Sequence, residues 1–292
     1  MNIFKVRKLN AAVALLAVAL LASCGGGNED KESNSTEQSK ATNSTSITQP
    51  SEQAVIAPQS TPEITPQVSE PIAAATPTVA AKLYKMNEVY RFVPIDEQKT
   101  TNKVVLLSFD DGPKDEAVLT NMLDTLDKHN AKAIFFVNGY RVEKNPELLK
   151  LIHERGQTVG NHSWDHIDLK KEEIAKIEQQ IGDLQADVEA IIGEAPQFFR
   201  PPYGSGGDKV KEIAKNHGML FMTWSNGSLD WEQKSPGKPD EVIKNVLEQL
   251  HPGANILMHE LSWTAEALDG LLTKLEEMSY GFIDPSTIAV NP

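Results

Sequence analysis

Asp110 and Asp111 close the segment "VVLLSFDDGP" (Val104 to Pro113), where an apolar run leads straight into two adjacent carboxylates and a Gly-Pro turn. Asp-Gly and Gly-Pro are common breakers, so the pair could do no more than end a strand. The other reading is that the two charges are there for chemistry. His162 and His166 stand four residues apart in "GNHSWDH", a spacing that puts two imidazoles on one face of a helical turn. Two histidines and one carboxylate would hold a zinc-like ion and leave one position open for water, as in a hydrolytic site. A solvated helix face fits the same spacing, so the pair alone leaves both readings open. The other histidines look plainer. His129 and His217 precede Asn130 and Gly218 at expected helix C-termini, His153 sits on a helix face, and His251 precedes a proline.

Beyond Lys103, short apolar runs alternate with helical patterns. Val104–Phe109, Ala133–Val137, Thr158–Gly160, Phe198–Arg200, Leu220–Thr223, Ile256–His259 and Gly281–Ile283 read as strands. The clearest helix carries Ile174, Ile177, Ile181, Leu184, Val188 and Ile191 along one face; others carry Leu119 to Leu126, Val242 to Leu250 and Leu268 to Leu275. Alternating β and α segments imply parallel strands with crossover helices, in a doubly wound sheet or a barrel. Asp110 and Asp111, "GNHSWDH", "RPPYG", "SLDW" and "LMHE" all fall at or beyond the carboxyl ends of strands. That is the rim where β/α barrels assemble active sites. A random scatter of turns would not favour one edge, so the turn-only reading of Asp110 and Asp111 weakens.

A net charge of −13 over 292 residues makes nucleic acid a poor partner. The chain opens with Lys5, Arg7 and Lys8 and a short apolar core, "AAVALLAVALLA", the pattern of an export signal rather than a permanent span. "LASC" ends it at Cys24, the only cysteine. A domain without another thiol forms no disulfide and has no cysteine nucleophile. Residues 25–82 are rich in Ser, Thr, Gln, Asn and Pro and read as a disordered stalk. Its reach would be roughly 40–45 Å. Residues 83–292, about 210 in number, suit one domain.

"SFDDGP", "NHSWDH", "RPPYG", "SLDW" and "LMH" occur in the order and spacing of the five motifs of polysaccharide deacetylases. The chain resembles that family, carbohydrate esterase family 4 with its NodB-type homology domain, from about Lys103 to Pro292. The resemblance implies an α/β fold, a distorted, partly open (β/α) barrel. It also implies metal-dependent removal of acetyl groups from sugars, with zinc the first choice of ion and cobalt or manganese as alternatives. By position, Asp110 resembles the catalytic base, and Asp111, His162 and His166 resemble the metal ligands. Arg200 corresponds to the arginine that holds the base, and Tyr203 to the residue offering its backbone N–H to the oxyanion. His259 corresponds to the general acid and Asp230 to the group that orients it. Trp231 and Leu257 correspond to the lining of the acetyl pocket. "LASC" resembles a lipobox, which implies lipidation at Cys24 and an extracytoplasmic, membrane-anchored address.

Those residue types suit amide hydrolysis, because an amide is a poor electrophile and its nitrogen leaves badly unless protonated. Three departures from the family pattern stand out: Ser108 for a threonine, Gly227 for an Asp, and Glu260 for an Asp. The expected activity is N-deacetylation of an N-acetylglucosamine polymer, with peptidoglycan foremost and no protein partner inferred. An O-acetyl (xylan-type) esterase and a non-catalytic wall-binding lipoprotein are the alternatives. Trp164 and Trp263 could stack on sugar rings or simply pack.

Overall fold

The computed structural model describes residues 80–232 and 236–290; the export signal, Cys24 and nearly all of the Ser/Thr/Pro-rich stretch lie outside them. Two short strands, β1 (Tyr84–Met86) and β2 (Phe92–Pro94), pair antiparallel. The long strand β3 (Val104–Gly112) follows, then helix α1 (Glu116–Lys128) and β4 (Ala133–Val137). Helices α2 (Gly139–Lys144) and α3 (Pro146–Glu154) lead to β5 (Thr158–Asn161). The order continues with α4 (Ile174–Ile192), β6 (Phe198–Phe199), α5 (Asp208–Asn216), β7 (Leu220–Phe221) and β8 (Asn226–Gly227). It ends with α6 (Pro239–Glu248), β9 (Ala254–His259), α7 (Ser262–Glu277) and β10 (Gly281–Phe282).

Eight of these strands form one parallel sheet in the order β7–β6–β5–β4–β3–β9–β8, with β10 beside the first residues of β3. Parallel neighbours need long crossovers, and the helices supply them. No strand pairing joins β7 to β8. The curled sheet is therefore a partly open barrel, in agreement with the α/β expectation. The segment from Met222 to Ser225 bridges the gap: Met222 N–H donates to Phe199 O and Ser225 N–H to Asn255 O, at 2.9 and 3.1 Å.

Period-two alternation in β3 decides what faces the barrel interior. Val105, Leu107 and Phe109 pack outward with the helices, among them Leu119, Leu123, Leu268 and Leu272. Val104 and Leu106 turn inward, against Ile134, Phe136, Phe198 and Met222. Ser108 and Asp110 continue that inward face, and both are buried. A polar centre inside an apolar barrel requires partners, and Arg200 is the principal one.

Local signals act as expected at several helix ends. Asp115 caps α1, its Oδ1 accepting the Val118 N–H at 3.0 Å. Gly193 ends α4 in the left-handed conformation, φ 80°. Among the described residues no helix is long and apolar enough to cross a membrane.

Candidate active site

Arg200 follows β6 and is fully buried, with its guanidinium 4.3 Å from the Phe136 ring centroid. Its Nη1 donates to Asp110 Oδ1 at 2.6 Å and to Ser108 Oγ at 2.9 Å. Its other nitrogens reach Thr223 O, and Nη2 also reaches Asn255 Oδ1, at 3.0–3.2 Å. One side chain thus ties the strands on both sides of the barrel gap and holds Asp110. Guanidinium suits this post, because its planar fork stays charged when buried. Removing one partner of such a buried pair typically costs about 3–5 kcal/mol, since the other charge is stranded.

Asp111 extends beyond Asp110 with a left-handed backbone, φ 67°. Aspartate tolerates that region better than most residues. The turn carries the second carboxylate toward the loop after β5, where Asp111 Oδ1 lies 3.1 Å from His166 Nε2 and 3.5 Å from His162 Nε2. Burial alone would raise the Asp111 carboxyl; the two imidazoles beside it, with the charge of His259, hold it well below the usual carboxylate range.

The two histidines do not share a helical turn, contrary to the reading from their spacing. They sit on an irregular loop in which Ser163 (φ 66°) and His166 (φ 54°) are both left-handed. Buried amides make that loop. Asn138 Nδ2 donates to His162 O at 2.8 Å, Asn161 Oδ1 accepts from Ser163 N–H at 2.9 Å, and Gln180 Oε1 accepts from Asp165 N–H at 2.7 Å. His162 Nδ1 donates to Arg200 O at 2.6 Å. That bond assigns the tautomer and turns the Nε2 lone pair toward Asp111. The ligand atoms of Asp111, His162 and His166 all lie within 4.8 Å of one another. Asp111 Oδ1 is buried without a well-aligned hydrogen bond, and one carboxylate with two imidazoles is a donor set suited to zinc with a position to spare. The residues fit a divalent metal.

His259 ends β9 directly opposite Asp110 in the parallel register. Its Nδ1 donates to Asp230 Oδ1 at 2.8 Å, while Asp230 Oδ2 accepts from the His259 N–H and from Thr264 Oγ1, each at 2.7 Å. Burial alone would lower the His259 pKa; the hydrogen bond and charge of fully buried Asp230, with Asp110 and Asp111 farther off, raise it above the ordinary imidazole value.

These groups meet at a cleft of about 360 Å³ lined by Asp110, Asp111, His162, His166, Tyr203, Gly204, Trp224, Trp231, Leu257 and His259. Tyr203 (φ 59°) sets its ring edge-on to His166 at 4.7 Å and is itself 68% exposed. Trp231, 41% exposed, lies against His259 at 5.2 Å and Trp224 at 6.2 Å. Gly227 gives that indole room, because a Cβ there would come 3.3 Å from Trp231. Left-handed non-glycine backbone at Asp111, Ser163, His166 and Tyr203 is strain gathered at one place, as functional sites often show.

Each expected site residue other than Cys24 thus reaches this centre or holds a group that does. Sequence reading missed Trp224, Asn255 and Thr264; Trp224 carried a signal, an aromatic just past an expected strand and shortly before Trp231, the ring it meets. Trp164 packs against Gly139 and Trp263 Nε1 donates to Asp230 O at 3.0 Å, so both serve structure. His129, at the end of α1, sits between Asp269 and Glu276, and His217 pairs with Glu178.

The polysaccharide deacetylase family model matches residues 97–222. The peptidoglycan-N-acetylglucosamine deacetylase PgdA of Listeria monocytogenes is 41% identical over 65% of this chain and 40% of its own length. The chain therefore spans about two fifths of the length of that curated relative. The solved structure of peptidoglycan deacetylase PdaC from Bacillus subtilis matches with a TM-score of 0.58 and 34% identity, over 64% of this chain and 91% of that one. A family 4 carbohydrate esterase pseudoenzyme from Bacillus anthracis matches with a TM-score of 0.59 and 35% identity, over 62% of this chain and 63% of its own. With this fold, this cleft and these matches, the chain belongs to the polysaccharide deacetylase family.

Proposed function

We propose that the chain is a metal-dependent hydrolase that removes N-acetyl groups from an N-acetylglucosamine-containing polysaccharide, with peptidoglycan as its target. The observation that carries this reading is the pairing of Asp110 and His259 across adjacent strands, each held by its own buried partner, Arg200 and Asp230. Asp111, His162 and His166 would hold the ion. Zinc is the expected metal, and it would supply Lewis acidity to the acetyl carbonyl and to water. Asp110 takes the proton from the attacking water, and Arg200 keeps its carboxylate in place. His259 gives a proton to the departing amine nitrogen, with Asp230 setting which ring nitrogen faces the cleft. The Tyr203 backbone N–H stabilises the oxyanion, and Leu257, Trp231 and Trp224 enclose the acetyl methyl. The names of PgdA and PdaC support the peptidoglycan target.

The assay is acetate release with free amine counted in parallel, on peptidoglycan, chitin oligomers and acetylated xylan. Residues 83–292 loaded with zinc are expected to release acetate and amine in equal amounts from the amino-sugar polymers. Acetate from xylan alone would establish an O-esterase. The Bacillus anthracis pseudoenzyme gives substance to a second reading, a wall-binding module without catalysis. Silence on all three substrates with zinc bound would establish it. Against it stands the full set Asp110, Asp111, His162, His166, Arg200, Asp230 and His259.

The address belongs to the same proposal. Cys24 is lipidated through its sulfur and becomes the first residue once the export signal is cleaved, which places the domain beside the cell wall. Wild-type protein in its native host is expected to fractionate with membranes, and Cys24→Ser to lose lipid labelling. Unlipidated, soluble wild type would overturn the anchor and leave the chemistry standing.

A further inference from the structure

Glu260 follows the proposed general acid and is 3% exposed, yet it has no part in the chemistry described above. Its Oε1 accepts the backbone N–H groups of Lys114 and Asp115 at 2.7 and 2.9 Å. Those residues follow the Asp-Asp-Gly-Pro turn and lead directly into α1, whose cap is Asp115. Its Oε2 is buried without a hydrogen-bond partner and faces Gly112: a Cβ there would come 2.4 Å from it, and apart from the adjoining Asp111 and Pro113 only Glu260 atoms lie within 4 Å of that position. Glu260 N–H also approaches Asp110 O, at 3.4 Å. One side chain therefore stitches the end of β9 to the turn that carries Asp111. Asp111 needs such a restraint, because its left-handed backbone is not its default state.

We propose that Glu260 is a positioning residue that clamps the turn from Gly112 to Asp115, and so holds Asp111 where it can ligate the metal alongside His162 and His166. The proposal rests on the metal site put forward above. The clamp acts through backbone N–H groups and a hydrogen-bond acceptor. Gly112 is its counterpart, since it leaves the space that the longer carboxylate occupies. Glu260→Ala removes the clamp, whereas Glu260→Gln keeps an acceptor of the same length. Gly112→Ala pushes the carboxylate out from the other side.

The test is zinc affinity by calorimetric titration on the folded domain, with kcat and KM on chitin oligomers and amide exchange at Lys114 and Asp115. Glu260→Ala is expected to weaken zinc binding by about 10–100-fold, the usual cost of losing a group that orients a ligand. It should also lower kcat with KM nearly unchanged and speed exchange at the two amides. Glu260→Gln should restore most of each. Gly112→Ala should reproduce the loss alone and add little in the Glu260→Ala background, because the only atoms it meets are then gone. Wild-type zinc affinity in Glu260→Ala, or additive losses in the double variant, would overturn the clamp. If the wild type itself bound no zinc, the metal site and the clamp's purpose would fall together, a different outcome from the first two.

Discussion

Asp110→Asn is expected to keep zinc and lose about 10²–10⁴-fold in turnover, the usual cost of a missing general base. His162→Ala and His166→Ala are expected to lose the zinc itself. The separation follows from geometry. Asp110 Oδ1 is committed to Arg200, and its Oδ2 lies 3.6 Å from His162 Nε2, outside the cluster made by Asp111 with the two imidazoles. Asparagine keeps the shape and can still accept from Arg200, but its amide cannot take a proton. Arg200 retains neutral acceptors in Ser108, Thr223 and Asn255, so the variant should fold with a lowered melting temperature. Zinc counted after dialysis, together with amine release from chitin oligomers, separates the roles. Loss of zinc in Asp110→Asn equal to that of the histidine variants would make Asp110 a ligand. Near wild-type turnover would remove it as the base.

The elements that could be read from sequence were those whose signal is local. β4 reproduces the apolar run at Ala133–Val137, and α4 matches its 3.6-residue stripe, although Ile174 proves exposed. β8 is only Asn226–Gly227 and carries no apolar signal, while β1 and β2 hold apolar residues but are too short, at three residues each, to show a period. The motif residues were legible because types and order recur together. Their supports were not, because Ser108, Thr223 and Asn255 meet Arg200 from distant parts of the chain across the barrel gap. The four-residue spacing of His162 and His166 misled for a related reason. Helical periodicity is a statement about neighbours in sequence, and the amides of Asn138, Asn161 and Gln180 override it with a left-handed loop.

His259 and Asp230 predict how rate varies with pH. As the proposed general acid, His259 must be protonated, so the rate should fall as pH rises through its pKa. Asp230 raises that pKa above the ordinary imidazole value of about 6.5, against the opposing effect of burial. The basic limb of kcat/KM governed by His259 is therefore expected above pH 6.5 in the wild type. Asp230→Asn reverses the arrangement. The two donors at Oδ2, the His259 N–H and Thr264 Oγ1, favour placing the asparagine oxygen there. Its NH₂ then faces His259 Nδ1, which must accept instead of donate, and the stabilising negative charge is gone. The limb should move to lower pH, with about 10²–10⁴-fold lost on amides near neutrality. An ester with a good leaving group needs less help from an acid, so it should lose much less in Asp230→Asn and in His259→Ala. Zinc content should stay at the wild-type level in both. An unmoved limb in Asp230→Asn, or equal losses on amide and ester, would leave His259 without its role as proton donor.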